Sequence, residues 1–235
     1  MMFGSPNTSE PFDESSDWLI TEEALIASLH RQPLLIVVRP DSSDLSEGSG
    51  FSVLFRQIQS LHQAGLRHLE VAWVDHPAWC GFVRSVQRSC PDLQVGAASL
   101  TQFKALEDAH ASGLTFGMAP CFEPALLMRA RSLGILLVPG VFSPTEMFQA
   151  MGYGCRLIKL FPAAQLGVDY LRSLKGPLSP LPEVIAAGGL GVDDLEPWLE
   201  AGHTAIALGR RVIGSEGIDP TLLRWLVDVC PKCYR

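Results

Sequence analysis

The chain has 235 residues, of which 47% are hydrophobic and 18% are charged, and its mean hydropathy is +0.20. This composition is typical of a globular protein with a large core and excludes a mostly disordered chain. The net charge of -7 and the lack of any cluster of Lys and Arg argue against nucleic acid and acidic lipid as partners.

The first predicted element is a helix that begins at Thr21 as N-cap and runs to His30, with two acidic residues in its first turn. Residues 1–17 precede it without apolar periodicity, so we expect a flexible extension there. We expect a single domain over residues 18–235, because α/β barrels commonly occupy about 200 to 250 residues. The acidic N-terminus is unlike a signal peptide, and no apolar run is long enough to span a membrane, which together indicate a cytoplasmic protein.

After this helix, apolar strands alternate with helical patterns along the rest of the chain. The predicted strands are 34–38, 68–73, 93–98, 114–118, 135–138, 155–160, 183–186 and 204–208. The predicted helices between and after them are 51–64, 78–89, 101–111, 123–132, 143–151, 168–174, 192–201 and a last one near 220–229. Eight strand and helix pairs favour a closed (β/α)8 TIM barrel of the α/β class, with one extra N-terminal helix.

The alternative architecture is an open doubly wound sheet. That fold usually carries a glycine-rich turn after its first strand, whereas this chain has Arg-Pro-Asp-Ser-Ser from Arg39 to Ser43. The barrel is therefore the favoured fold, and its active site is expected at the carboxyl ends of the strands.

Two charged residues interrupt strands that are otherwise apolar. Lys159 lies within Leu-Ile-Lys-Leu-Phe-Pro on the sixth strand, and Glu70 lies within Leu-Glu-Val-Ala-Trp on the second. Burial lowers the pKa of an amine and makes the neutral nucleophile available, and a buried carboxylate usually has a nearby cation or a catalytic role. The pair predicts imine chemistry, in which Lys159 attacks a ketone and Glu70 moves protons. A buried ion pair without chemistry is the alternative.

Glycines follow the last two strands, where barrels often bind phosphate. Gly188 and Gly189 open a helix after the seventh strand, and Gly209 and Arg210 follow the eighth. Glycine lets backbone N–H groups approach an anion, and arginine adds charge. These loops predict a phosphate site, although the glycines could also serve only to make tight turns.

No metal or redox site is predicted. The histidines lack H-x-x-H and H-x-E spacing, and the six cysteines are dispersed as expected for reduced thiols. Only Cys230 and Cys233 have a suggestive spacing, and neither a second pair nor a helix start accompanies them. We therefore expect no cofactor.

Several short motifs occur together in a recognisable order and spacing. They are Leu-Glu-Val at 69–71, Val-Gly-Ala-Ala-Ser-Leu at 95–100, Ala-Pro at 119–120, Pro-Gly-Val at 139–141, Ile-Lys-Leu-Phe-Pro-Ala at 158–163 and Ala-Gly-Gly at 187–189. On these motifs the chain resembles the class I aldolases that cleave 2-keto-3-deoxy-6-phosphogluconate and 4-hydroxy-2-oxoglutarate. The resemblance spans roughly residues 22–230.

The resemblance implies a trimeric, metal-independent lyase of carbohydrate metabolism. Lys159 would form a Schiff base with pyruvate, and Glu70 would act as general acid and base. The substrates would be a 2-keto acid and an aldehyde such as glyceraldehyde 3-phosphate or glyoxylate. The expected substrate-binding residues are Ser99, Arg39, Phe161, Pro162, Gly188, Gly189, Gly209 and Arg210.

Three positions depart from the family pattern. Val74 stands where the family has an arginine for the substrate carboxylate, Ala187 replaces a threonine found in many members, and Ser99 retains only the hydroxyl of a threonine. The departures motivate a second hypothesis, a catalytically impaired barrel that binds a phosphorylated metabolite. A third, a phosphate-sugar epimerase or decarboxylase, would need paired Asp or His residues at other strand ends. The retention of both Lys159 and Glu70 favours the aldolase.

Overall fold

The computed structural model describes residues 17–46 and 52–229. Its main sheet is parallel throughout and has the strand order β5-β4-β3-β2-β1-β9-β8-β7-β6. The strands are β1 (Leu34–Val38), β2 (His68–Ala72), β3 (Gln94–Ala98), β4 (Phe116–Met118), β5 (Leu136–Val138), β6 (Gly140–Val141), β7 (Leu157–Leu160), β8 (Glu183–Ala187) and β9 (Ala205–Leu208).

The sheet closes through Pro139, which separates β5 from β6. Proline has no N–H, so the regular ladder breaks at this residue although the chain continues in the same direction. On one side β5 pairs with β4, and on the other β6 pairs with β7, where the Lys159 N–H donates to the Pro139 carbonyl at 2.9 Å. Strands β5 and β6 are thus two halves of one barrel strand. This confirms the predicted (β/α)8 barrel, and the open doubly wound alternative is wrong.

Helices alternate with the strands as predicted. They are α1 (Asp17–Arg31), α2 (Val53–Gln63), α3 (Trp79–Ser89), α4 (Phe103–Ala111), α5 (Pro124–Ser132), α6 (Pro144–Gly152), α7 (Ala163–Leu166), α8 (Tyr170–Leu174), α9 (Leu195–Glu200) and α10 (Pro220–Arg224). A 3-10 turn at Val192–Asp194 precedes α9, a π-helical turn at Trp225–Val229 follows α10, and a small hairpin joins β10 (Ile213–Gly214) to β11 (Gly217–Ile218).

Two helices differ from their predictions. The helix predicted at 168–174 is α8, which begins at Tyr170, and the short helix α7 before it was not predicted; Gly167 separates the two, because its φ of 85° lies outside the helical region. Helix α1 begins at Asp17 rather than at Thr21, whose hydroxyl donates to the Asp17 carbonyl one turn earlier at 2.9 Å. The predicted extension over 1–17 otherwise lies outside the described residues, as do Cys230 and Cys233. The single domain over 18–235 stays a prediction.

Helix α1 covers the amino-terminal end of the barrel. Trp18, Leu25 and Leu29 on one face pack against barrel-interior residues such as Leu35 and Leu136. The buried Glu22 carboxylate accepts hydrogen bonds from the backbone N–H of Arg156 at 3.0 Å and from its Nε at 2.8 Å. With this end covered by α1, the opposite mouth of the barrel remains for a ligand.

Glycines inside the barrel allow close packing. A Cβ on Gly96 would lie 2.3 Å from the ring of Phe116, which fills the interior between β3 and β4. A Cβ on Gly140 would lie 2.4 Å from the backbone of Pro120, beside the point of closure. Both positions therefore need a residue without a side chain.

Candidate active site

A cavity of about 380 Å³ opens at the carboxyl ends of the strands. Every residue that the sequence predicted for the site lines it: Lys159, Glu70, Ser99, Arg39, Phe161, Pro162, Gly188, Gly189, Gly209 and Arg210. These residues come from six different strands or the loops that follow them, and barrel closure brings them together. Their chemical roles follow from the surroundings of each.

Lys159 is directed into the barrel by strand periodicity. Its strand neighbours Ile158 and Leu160 pack in the outer core between strands and helices, so Lys159 faces the interior, where it is 7% exposed. Burial lowers the pKa of its ammonium group, Glu70 opposes this effect, and the positive charge of Arg39 adds to it. The Nζ atom lies 5.4 Å from the centroid of the Phe161 ring. This environment increases the fraction of neutral amine.

Glu70 occupies the corresponding inward position on β2, between Leu69 and Val71 of the outer core. It is 1% exposed, and burial raises the pKa of its carboxyl group, while the charges of Lys159 and Arg39 act in the opposite direction. Within residues 17–46 and 52–229, its Oε1 has no hydrogen-bond partner, and no salt bridge joins it to Lys159. The pair therefore interacts across the cavity without the direct contact of a structural ion pair, and the carboxyl group is available to exchange protons.

Arg39 follows β1 at the mouth of the cavity. Its pKa is lowered, mainly by partial burial and also by the nearby positive charge of Arg210, whereas Glu70 raises it. Arg39, Lys159, Arg210 and Arg211 provide four basic groups in the lining, against one carboxylate from Glu70. This excess suits a ligand with negative charge.

The loop after β8 presents backbone donors. Gly188 and Gly189 have φ values of 94° and 83°, a region that disfavours residues with a side chain. The Gly188 carbonyl accepts from the Ala164 N–H at 3.1 Å, and the Gly189 carbonyl accepts from Arg211 Nη1 at 2.6 Å. The N–H groups of Gly189 and Leu190 have no partner among the described residues and are available to an anion.

The loop after β9 also presents backbone N–H donors. The Gly209 carbonyl accepts from the N–H groups of Val212 at 2.9 Å and Ile213 at 3.3 Å, which forms a single helical turn. Within the described part of the chain, the N–H groups of Arg210 and Arg211 at the start of this turn are unpartnered. Both loops therefore line the cavity with backbone N–H groups that have no partner among the described residues, and the second loop adds positive charge.

Ser99 has an unusual backbone conformation. Its φ of 64° is the single positive value among the described residues other than glycine. A non-glycine residue held in this region stores about 1 to 3 kcal/mol, and such residues concentrate at functional sites. The sequence predicts a role for the Ser99 hydroxyl but carries no signal for this backbone conformation.

Gln165 and Val74 differ in their position relative to the cavity. Gln165 on α7 lines the cavity and was missed, because the sequence analysis placed no helix directly after Phe161 and Pro162. Val74 is not among the lining residues and packs half-buried on the outer core. Among the described residues, no group of three His, Cys, Asp or Glu side chains could hold a metal ion. Each helix in residues 17–46 and 52–229 is too short or too polar to span a bilayer.

A family model described as "Aldolase: KDPG and KHG aldolase" matches residues 50–222, which is most of the chain. The chain belongs to this aldolase family. It is a lyase, and specifically a class I aldolase. The catalytically impaired barrel is not favoured.

The relatives agree with this assignment. A 2-dehydro-3-deoxy-phosphogluconate aldolase of Pseudoalteromonas atlantica is 31% identical over 162 residues, which cover 68% of this chain and 74% of the relative. The enzyme of the same name in Haemophilus influenzae is 24% identical over 217 residues, covering 89% and 98%. The structure of the Legionella pneumophila KDPG aldolase, with pyruvate captured as a covalent carbinolamine, superposes with a TM-score of 0.70 at 22% identity, covering 87% of this aldolase and 95% of that one.

Proposed function

We propose that this aldolase forms or cleaves a C–C bond between pyruvate and a phosphorylated aldehyde, with Lys159 as the Schiff-base lysine and Glu70 as the general acid and base. The observation that carries the proposal is the placement of both groups, buried and without a direct salt bridge, in one cavity. The lowered pKa of Lys159 and the raised pKa of Glu70 match these roles.

Imine formation would use the two residues in turn. The neutral Lys159 amine attacks the ketone carbon, and its proton passes to the former carbonyl oxygen, giving a carbinolamine. Protonated Glu70 then gives its proton to this hydroxyl, which leaves as water, and an iminium bond to Nζ remains.

Cleavage would follow from the iminium. The Glu70 carboxylate takes the proton of the hydroxyl at C4, the C3–C4 bond breaks, and its electron pair flows to the iminium nitrogen. The aldehyde leaves, and an enamine of pyruvate remains on Lys159. Glu70 returns the proton to C3, and water releases pyruvate from the lysine.

The 2-keto acid carboxylate would bind near Ser99 and Arg39. The family arginine is replaced by Val74, which lies outside the cavity lining, so Arg39 is the cation at the β1 end that can take its place. Phe161 and Pro162 would form the apolar wall beside the imine, since the Phe161 ring lies next to Nζ.

The distal end of the substrate would carry a phosphate. The free N–H groups of Gly189, Leu190 and Arg210, together with the guanidinium of Arg210, suit the dianionic phosphate of glyceraldehyde 3-phosphate better than the smaller, singly charged carboxylate of glyoxylate. These donors favour glyceraldehyde 3-phosphate, and hence cleavage of 2-keto-3-deoxy-6-phosphogluconate, over glyoxylate and 4-hydroxy-2-oxoglutarate.

Parallel assays of the two cleavage reactions test this choice. Pyruvate release from each keto acid is followed with lactate dehydrogenase, with Lys159→Met as the inactive control. We expect a kcat/KM at least tenfold higher for the phosphorylated substrate. Equal or greater efficiency with 4-hydroxy-2-oxoglutarate would contradict the phosphate assignment, and no cleavage of either would contradict the proposed function.

We further propose that the protein works as a cytoplasmic homotrimer. Exposed apolar side chains on three successive helices support association: Phe103 on α4, Met128 on α5 and Phe148 on α6. Sedimentation equilibrium should give about three times the chain mass of 25.6 kDa. A mass equal to one chain would contradict the trimer.

A further inference from the structure

Arg211 connects the two loops that present free backbone donors. Its side chain begins on the turn after β9, and Nη1 donates to the Gly189 carbonyl on the loop after β8 at 2.6 Å. This hydrogen bond is charge-assisted and short, so it is among the stronger ones available to a surface loop.

The orientation of the Gly189 carbonyl, which Arg211 holds, determines the direction of the Leu190 N–H. The Gly189 carbonyl and the Leu190 N–H belong to one trans peptide unit and therefore point in opposite directions. While the carbonyl is held by Arg211, the N–H is directed to the other side of the peptide, and Leu190 lines the cavity. Because residues 188 and 189 are both glycines, which adopt positive and negative φ with similar ease, this segment has the backbone freedom to reorient when the contact is lost.

The loop is shaped to receive the guanidinium group. A Cβ on Gly191 would lie 3.6 Å from Arg211 Cζ and 3.7 Å from Nε and Nη2, so the guanidinium lies against the bare backbone of this glycine. On the same residue, the Gly191 N–H donates to Asp194 Oδ2 at 2.7 Å. The loop is thus held by Arg211 on its Gly189 carbonyl and by Asp194 at its end.

We propose that Arg211 is a positioning residue: by holding the Gly189 carbonyl, it directs the Leu190 N–H toward a phosphate that Arg210 contacts directly. This role rests on the proposed function, since it concerns the phosphorylated end of the same substrate. The two adjacent arginines then have different tasks, because Arg210 supplies charge to the ligand and Arg211 fixes the loop before the ligand arrives.

The test compares Arg211→Met, Arg211→Lys and Arg210→Met in the full chain, with inorganic phosphate as the probe. In ligand-free protein, we expect Arg211→Met to shift the Gly189 and Leu190 amide resonances and to lower their heteronuclear NOE values. Arg210→Met should leave both unchanged. Both Met variants should raise the inhibition constant of phosphate about tenfold or more. Arg211→Lys, which keeps a long donor, should restore part of the loop signal and part of the phosphate affinity.

Two results would overturn the proposal. If the ligand-free resonances are unchanged in Arg211→Met, the side chain does not position the loop. If phosphate affinity is unchanged in Arg211→Met, the loop position does not matter for the anion.

Pyruvate trapping separates this proposal from the proposed function. The trapping is done on the wild type, which should form the borohydride-reduced pyruvate adduct on Lys159. A wild type without an adduct would contradict the proposed function, while the amide resonances would still decide the role of Arg211.

Discussion

At the scale of single residues, Lys159 and Glu70 set each other's protonation. Burial disfavours both charges, and each charge partly stabilises the other across the cavity. Lys159 is thus easier to deprotonate than an ordinary lysine, and Glu70 is easier to protonate than an ordinary glutamate. This pairing is predictable from the sequence, because a charged residue in the middle of an apolar strand is conspicuous.

Replacing Glu70 tests the coupling. Glu70 raises the pKa of Lys159, so Glu70→Gln should lower that pKa further below the usual value of 10.5. The rate at which an added acylating reagent modifies the neutral Lys159 amine should then rise at a lower pH than in the wild type. Turnover should fall about 10²- to 10⁴-fold, because a general acid and base is lost. Glu107→Gln, at an exposed helix position, is the control. A profile that stays in place or moves to higher pH would show that the carboxylate does not act on Lys159.

Substitutions of Arg39 and Arg210 at the mouth of the cavity should affect the binding of different ends of the substrate. Arg39→Ala should raise the pyruvate concentration for half-maximal adduct formation about 10- to 150-fold at a pH where Lys159 is neutral, since a charge-assisted bond is lost. Arg210→Ala should leave that concentration unchanged and raise the KM of the phosphorylated aldehyde. The reverse pattern would place the carboxylate beside Arg210.

At the scale of elements, strands were easier to predict than helix boundaries. Strand β1 is observed at the predicted residues, because a short apolar run bounded by polar residues defines its own ends. Helix α1 starts four residues early, since packing of Trp18 under the barrel is a tertiary contact that no local signal reports. The break at Pro139 was also missed, because it depends on how the neighbouring strands β4 and β7 pair around it.

A side chain at Gly140 should disturb the closure of the barrel. Gly140→Ala places a methyl group 2.4 Å from the Pro120 backbone, on the β6 residue that pairs with Lys159. We expect the free energy of unfolding to fall by about 1 to 3 kcal/mol in urea titrations. Gly152→Ala, where no atom lies within 4 Å, is the matched control and should be neutral or stabilising. Equal stability of both variants would contradict this account of the closure.

At the scale of the whole molecule, charge is distributed unevenly. The chain has a net charge of -7, yet its cavity is lined by four basic groups and one carboxylate. The total charge can be counted from the sequence alone. The concentration of positive charge at the mouth of the cavity arises from closure of the barrel, which joins β1 to β9. The conformation of Ser99 and the contact of Arg211 with Gly189 likewise depend on tertiary structure and have no local signal.

This distribution predicts a salt effect. Raising NaCl from about 0.05 to 0.5 M should increase the KM of a phosphorylated substrate several-fold, because the attraction between cavity and ligand is screened. The KM of uncharged glyceraldehyde should change little and serves as the control. A KM for the phosphorylated substrate that does not depend on salt would show that the basic groups do not act on it.

Reduction with borohydride in the presence of pyruvate tests the central claim most directly. Lys104 offers a contrast within the same chain, because hydrogen bonds to Asp108 and Asp75 raise its pKa to about 12 and keep it charged. We predict a single pyruvate adduct, located on Lys159 by peptide mass spectrometry and absent from Lys159→Met. No adduct, or an adduct on Lys104 or Lys175 in place of Lys159, would contradict the assignment of the Schiff-base lysine.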